Sequence, residues 1–251
     1  MNSRPPLYCE RVPPVRDESK SRRANGRARR GRDTLSREVI LEAARAIAVR
    51  DGLDGLTFQA IGRELEAHPT SVYRHYRDKD ELLLDLIDDL RARSYGGLLR
   101  PSGDWREDLR EQARHIHDHY LRYPTFAQQM AARTTRRPTE FANVEFTARV
   151  LLDAGLRPAS AAACIRALGN YIRSAASIEA SLQTLDEESR RADNLAWEVE
   201  YRQLDPERFP AINTLDGHLT PIGDPSVFWG GLELLLDGIA LQIEREAAEQ
   251  S

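Results

Sequence analysis

Apolar residues recur every three or four positions along most of this chain, the period of helices packed on one face, and no stretch alternates as a strand would. Over residues 36–50, Val39, Ile40, Ala43, Ala44 and Ile47 share a face, and Gly52 predicts the stop of that helix. Thr57 can cap the next helix through its hydroxyl, with Phe58, Ile61 and Leu65 in register. Glu66 and Ala67 interrupt the pattern. The chain restarts at His68 with Pro69 in the first helical position, where the missing backbone donor costs nothing. Val72 and Tyr76, four apart, then face inward and leave Thr70, Ser71, Tyr73, Arg74 and His75 outside. Asp78 followed by Glu81 has the form of a capping box, opening a helix whose stripe is Leu82, Leu83, Leu86, Ile87 and Leu90.

Residues 57–76 therefore predict two short helices joined by a tight turn, the second carrying hydroxyls, a phenol and a cation near its N-terminal end. Such side chains bond phosphate oxygens and base edges, and a helix fits the major groove of B-form DNA. The same spacing also describes an ordinary helical hairpin whose polar side faces water. The flanking helices favour a compact DNA-reading unit. Beyond it, helices are predicted over residues 104–123, 139–154, 159–182, 187–201 and 226–249, with residues 203–224 a long connection rich in proline, glycine and polar residues. Two apolar stripes stand out: Ile165, Leu168, Ile172, Ala175 and Leu182 on one helix, and Phe228, Leu232, Leu235, Ile239 and Ile243 on the last, interspersed with Gly230, Gly231, Gly238 and Ala240. They are either intramolecular core or a surface that pairs with a second copy.

The segment SREVILEAARAIAVRDGLDGLTFQAIGRELEAHPTSVYRHYRDKDELL resembles the DNA-binding domain of the tetracycline-repressor (TetR) family along its whole length. At lower fidelity the likeness continues, towards the tetracycline repressor itself, through DWREDLREQAR, RRPTE and FWGGLELLLDGIALQIE. What the resemblance implies is an all-α homodimer: a helix-turn-helix three-helix domain over residues 34–94 and a larger effector-binding and dimerisation domain over 95–251. The implied function is repression of transcription at a palindromic double-stranded DNA operator, relieved by a small molecule. Carried over by position, Thr57, His68, Pro69, Thr70, Ser71, Tyr73, Arg74, His75 and Lys79 contact DNA. By the same likeness Ile165, Leu168, Ile172, Phe228, Leu232, Leu235 and Ile239 lie in a four-helix dimer interface. For the effector it implies Ser94, Gln112, Ile116 and Arg133, with Asn170 or Glu179 across the cavity. Arg133 stands where the tetracycline repressor has a histidine that helps hold its magnesium-bound drug, so that ligand is not expected here and an anionic one could pair with the arginine. Glu66 replaces a common glycine at a turn position expected to need left-handed backbone, at a cost on the order of 1 kcal/mol. His68 replaces a better cap such as serine.

Charge adds one feature. The net charge is −4, yet the first 33 residues carry ten Lys or Arg against four Asp or Glu, a balance of +6, leaving −10 for the rest. Residues 1–33 are therefore expected to form a disordered basic arm, lying along phosphates or serving only as a solubilising tail. No run approaches the ~18 apolar residues of a membrane helix, and Cys9 and Cys164 fit a reducing compartment, so a cytoplasmic location without membrane contact is expected.

His115 and His119 in HIHDHY stand one helical turn apart, a spacing that can hold a transition metal, but no third ligand accompanies them and no metal site is assigned. With no nucleotide loop, nucleophile elbow or paired-carboxylate site, no enzyme, catalytic residue or cofactor is expected. A metal-responsive regulator, an activator, and a helical interaction module without DNA binding remain as alternatives.

Overall fold

The computed structural model describes residues 35–215 and 217–249, and the predicted basic arm lies outside them. Every regular element among the described residues is a helix. Helix α1, Arg37–Gly55, opens on the Ser36 hydroxyl, which accepts the Val39 N–H at 3.3 Å. Its buried face runs through Ile40, Ala43, Ala44, Ile47 and Ala48, while Val39, expected inside, is exposed. Gly52 kinks α1 at φ 73° rather than ending it, and the chain adds a last turn to Gly55. Then come α2, Phe58–Glu64; α3, Pro69–Val72; and α4, Lys79–Tyr95. In α4, Leu82, Leu86, Ile87 and Leu90 are buried as predicted, but so are Leu84, Arg91 and Tyr95. The helix has two covered sides because it lies against α1 and also against the body that follows.

That body comprises α5, Trp105–Arg122; α6, Ala127–Ala132; α7, Pro138–Asp153; α8, Pro158–Leu182; α9, Glu187–Glu198; α10, Pro210–Thr214; and α11, Pro225–Ala248. Proline starts α7, α8 and α11, where its lost donor would have had no helical partner anyway. Short α6 and α10 were not predicted, and α10 lies inside the expected connection over 203–224. The central element is α8, which packs on α5, α6, α7 and α11.

At the α8–α11 crossing the Tyr171 hydroxyl donates to the Phe228 carbonyl at 2.7 Å, and a Cβ on Gly231 would overlap that hydroxyl. Gly230 and Gly238, by contrast, face open space. The two helices are also tied at one end by Glu246, whose carboxylate accepts the Arg157 N–H at 2.6 Å and the Ser160 hydroxyl; these bonds hold its pKa down to about 2. Helix α11 is long enough, with a mean hydropathy of 1.3, to pass for a membrane helix by length and composition alone, although Glu233 and Asp237 interrupt its apolar run. Here it buries Phe228, Leu232, Leu236 and Ile239 against its own chain instead.

Candidate nucleic-acid interface and effector cavity

The turn between α2 and α3 is set by two residues. Gly62 lets the chain close on itself: the Ala67 N–H donates to the Gly62 carbonyl at 2.8 Å, and a Cβ on Gly62 would stand 2.8 Å from the Ala67 carbonyl oxygen. Glu66 takes φ 49°, the left-handed backbone that the family resemblance implied at this turn. Thr57 caps α2 by accepting the Ala60 N–H at 3.0 Å. His68 caps α3, with Nδ1 accepting the Thr70 N–H at 3.3 Å and lying 2.8 Å from the Thr70 hydroxyl oxygen. The bond from the Thr70 N–H needs the Nδ1 lone pair, which a ring protonated at that nitrogen cannot offer.

Val72 and Tyr76 are fully buried under α3, with the Arg37 guanidinium 4.3 Å above the Tyr76 ring; burial pushes the Tyr76 pKa up to about 12. Outside remain Thr70, Tyr73 and Arg74, with Ser71 and His75 half-buried. The Tyr73 ring packs edge-on against Phe58 at 4.6 Å between centroids, which directs its hydroxyl without burying it. Regular α-helix lasts one turn here, shorter than the sequence pattern implied. Lys79 is exposed at the start of α4, its ammonium donating to the Leu53 carbonyl at 2.8 Å. Asp78 caps α4 by accepting the Glu81 N–H at 2.8 Å, while Glu81 reaches back to the Arg77 N–H at 2.9 Å.

Along α4 a ladder of carboxylates meets the segment between α6 and α7 and the first turn of α7. Arg133 forms a two-pronged pair with Asp80 at 2.6 and 2.8 Å, Arg137 reaches Asp85 at 2.6 Å, and the Thr139 hydroxyl donates to Asp88 at 3.2 Å. Asp85 also accepts from Arg37 of α1 at 2.8 Å, so the ladder extends to the reading unit. The segment turns at Arg136, a non-glycine residue at φ 55°, whose N–H donates to Glu140 at 2.9 Å; the Thr135 hydroxyl donates to the same oxygen at 2.7 Å.

Glu140 lines a half-open cavity of about 120 Å³ between α4, α5, α7 and α8. Its polar wall includes Arg91, Tyr95, Gln112, Tyr120, Asn143 and Thr147, and its apolar wall Ile116, Val144, Ile165, Leu168 and Ile172. Gln112 is fixed by the Thr147 hydroxyl, which donates to its oxygen at 2.9 Å, and by its own amide, which donates to the Asn143 carbonyl at 3.2 Å. Tyr95 and Asn143, bonded at 3.3 Å, also border an adjoining groove of about 530 Å³.

Of the residues predicted around an effector, Gln112 and Ile116 are brought together here. Ser94 bonds His119 Nδ1 at 2.8 Å outside the cavity wall, and Arg133 serves the ladder. Asn170 is exposed: Leu168, Gly169, Ile172 and Arg173 of α8 line the cavity, and Asn170 is rotated out of that phase. Glu179 lies at a different cavity, with His117 Nε2 2.8 Å from its carboxylate. Arg91, Tyr120, Asn143 and Thr147 were missed. Arg91 had one legible signal, a charge falling four residues after Ile87 in a buried stripe.

The predicted interface residues are covered within one chain: Leu168, Ile172, Phe228, Leu232 and Ile239 are buried, Ile165 lines the cavity, and Leu235 is half-buried. Side chains already enclosed have little area left for a second copy. The side of α11 that faces solvent carries Val227, Leu234 and Leu241 instead. His115 and His119 are not convergent: His115 pairs with Glu111 at 3.0 Å, whereas His119 is buried between Ser94 and Met130, and burial, then Arg91 and Arg122, push its pKa down to about 3.

A short helix held outward on a three-helix unit, joined by α4 to a helical body with a cavity between its helices, defines a helix-turn-helix DNA-binding regulator. Residues 40–86 match the family described as bacterial regulatory proteins, tetR family, and residues 99–243 match the one described as tetracyclin repressor-like, C-terminal domain. The chain belongs to the tetracycline-repressor (TetR) family, whose members regulate transcription. It is similar to the HTH-type transcriptional repressor DrrR1 of Streptomyces coeruleorubidus, 26% identical over 222 residues that cover 87% of this chain and 82% of DrrR1. The class A tetracycline repressor from transposon 1721 in Escherichia coli is 26% identical over 207 residues, covering 82% and 91% respectively. Among solved structures, apo ActR from Streptomyces coelicolor shares the fold with a TM-score of 0.73 at 22% identity, over 84% of this chain and 97% of ActR. ActR in complex with actinorhodin gives a TM-score of 0.71 at 24% identity, over 82% and 96%.

Proposed function

We propose that this regulator is a repressor that binds a palindromic operator as a homodimer and is released by a small molecule in the Gln112–Ile116 cavity. Residues 34–94 act as the reading domain and 95–251 as the effector and dimerisation domain. The observation that carries this reading is the unbroken polar route from cavity to DNA-facing unit: Glu140 in the cavity wall anchors Thr135 and Arg136, and the same segment, with the first turn of α7, grips Asp80, Asp85 and Asp88 of α4. A ligand that displaces Glu140 shifts the rungs, tilts α4 and changes the separation of two reading helices. Only differential affinity for the two arrangements can drive that shift. Partly exposed ion pairs contribute about 0–1 kcal/mol each, so the two pairs and the Thr139 hydrogen bond are of the order of the 1–3 kcal/mol typical of coupling between sites.

On DNA, Tyr73, Arg74 and His75 address the major groove with Thr70 and Ser71, while Thr57, His68, Pro69 and Lys79 lie towards the phosphates. Lys79 keeps two ammonium donors beyond the one given to Leu53. Support for the dimer comes from α11, where Val227, Leu234 and Leu241, 41, 75 and 53% exposed, recur every seven residues. Gly230 and Gly238 on the same open side leave room for a close helix. Two copies then meet half-sites about 34–36 Å apart.

Selection of bound fragments from genomic DNA, followed by footprinting, tests the reading. A palindrome protected by a dimer is expected. Retention of no duplex at low ionic strength would refute it.

A further inference from the structure

We propose that the cavity between α4, α5, α7 and α8 takes an aromatic anion, a carboxylate on a body of about one ring, with Arg91 as its counter-ion. This rests on reading that cavity as the effector site. Arg91 is 5% exposed, and its recorded hydrogen bond is to the Met130 carbonyl at 3.3 Å, a neutral partner. Glu140, whose pKa the Arg91 charge helps to lower, is the one carboxylate on this wall, and a buried guanidinium that shares it with other donors calls for a further anion.

A second group points the same way. The Tyr120 hydroxyl is buried in the same wall beside the Arg91 guanidinium, which can only donate to it, and burial raises its pKa, so its own proton has no acceptor in the wall. Arg166 and Arg173 also border the cavity, against one carboxylate, Glu140. That carboxylate is committed to the Thr135 hydroxyl and the Arg136 N–H, and leaves the cationic side in excess.

The opposite wall is apolar, with Ile116, Val144, Leu168 and Ile172. At about 120 Å³ the space is close to the roughly 150 Å³ of an apolar cavity that holds benzene. A larger ligand would part the Tyr95–Asn143 bond and extend into the adjoining groove.

Calorimetric titration of the full chain with benzoate, salicylate and 1-naphthoate, each beside its uncharged amide, tests the assignment. The acids are expected to bind at least about tenfold tighter than the amides, the size of one charge-assisted hydrogen bond. Arg91→Met should erase that difference, Arg91→Lys retain part of it, and Tyr120→Phe weaken the acids alone. Melting curves give a readout independent of activity: the acids should raise the melting temperature of the parent but not of Arg91→Met. Equal binding of acid and amide, no binding of any acid at millimolar concentration, or an acid preference that survives in Arg91→Met overturns the proposal. Operator affinity measured in parallel separates the two readings. Acids that bind through Arg91 yet leave DNA affinity unchanged defeat the effector role alone, whereas release of DNA by the amides defeats the charge assignment alone.

Discussion

Replacing Glu66 by glycine isolates the backbone cost of the helix-turn-helix turn. Glu66 sits at φ 49°, and its carboxylate takes no part in a recorded hydrogen bond or ion pair, so the side chain offers nothing to offset the conformation. A non-glycine residue in left-handed backbone costs about 1–2 kcal/mol. Glycine removes that cost but gives the unfolded chain more freedom, worth about 0.4–1 kcal/mol. The net expectation is a stabilisation of about 0.5–1 kcal/mol, or roughly 1–4 °C in melting temperature for a chain of this size. Differential scanning calorimetry and urea titration of Glu66→Gly, with Glu66→Ala beside it, measure it. Alanine keeps the strain and removes the carboxylate, so it should stay within about 0.5 kcal/mol of the parent. If Glu66→Gly melts at or below the parent, or if alanine stabilises as much as glycine, the strain argument is wrong.

Tyr73→Phe keeps the ring on Phe58 and loses only the hydroxyl, and Arg74→Ala removes an exposed cation, so both should leave melting unchanged. Each is expected to weaken the selected operator by about 1–3 kcal/mol in fluorescence anisotropy, relative to unrelated duplex. Arg137→Ala removes the rung to Asp85; ligand affinity should stay within about twofold by calorimetry, while the ligand-induced loss of operator affinity shrinks by about 1 kcal/mol. For His119 the native pKa lies near 3 against an ordinary 6.5, so the unfolded chain takes up a proton that the folded one refuses. Stability from this group is complete above pH 6.5 and is lost as pH falls towards 3, with a slope of up to about 1.4 kcal/mol per pH unit. Urea titrations between pH 6.5 and 5 should show the slope, and His119→Gln should flatten it.

The DNA-reading unit was legible because its determinants act over a few residues. Ser36, Thr57 and Asp78 each bond an N–H three positions on, and Pro69 fixes a helix start. The left-handed turn at Glu66 was legible only through the family resemblance, in which glycine is common at that position. Periodicity also placed the long helices of the body, since a chain must bury a stripe wherever its neighbours lie. It could not assign directions to faces. Val39 fits the α1 stripe yet is exposed, Leu84 lies outside the α4 stripe yet is buried, and the two apolar sides of α11 are indistinguishable by period, although one packs on α8 and the other meets solvent.

Sequence alone therefore determined where the helices of the reading head begin and that Thr70, Tyr73 and Arg74 stand outward, because capping and helical periodicity are local. Only the tertiary structure decided that Arg91, Tyr120 and Gln112 converge on one cavity and that Asp80, Asp85 and Asp88 meet the first turn of α7 and the segment before it. Those groups lie tens of residues apart, and their meeting depends on the crossing of α4, α5, α7 and α8, a packing geometry that no single helix encodes.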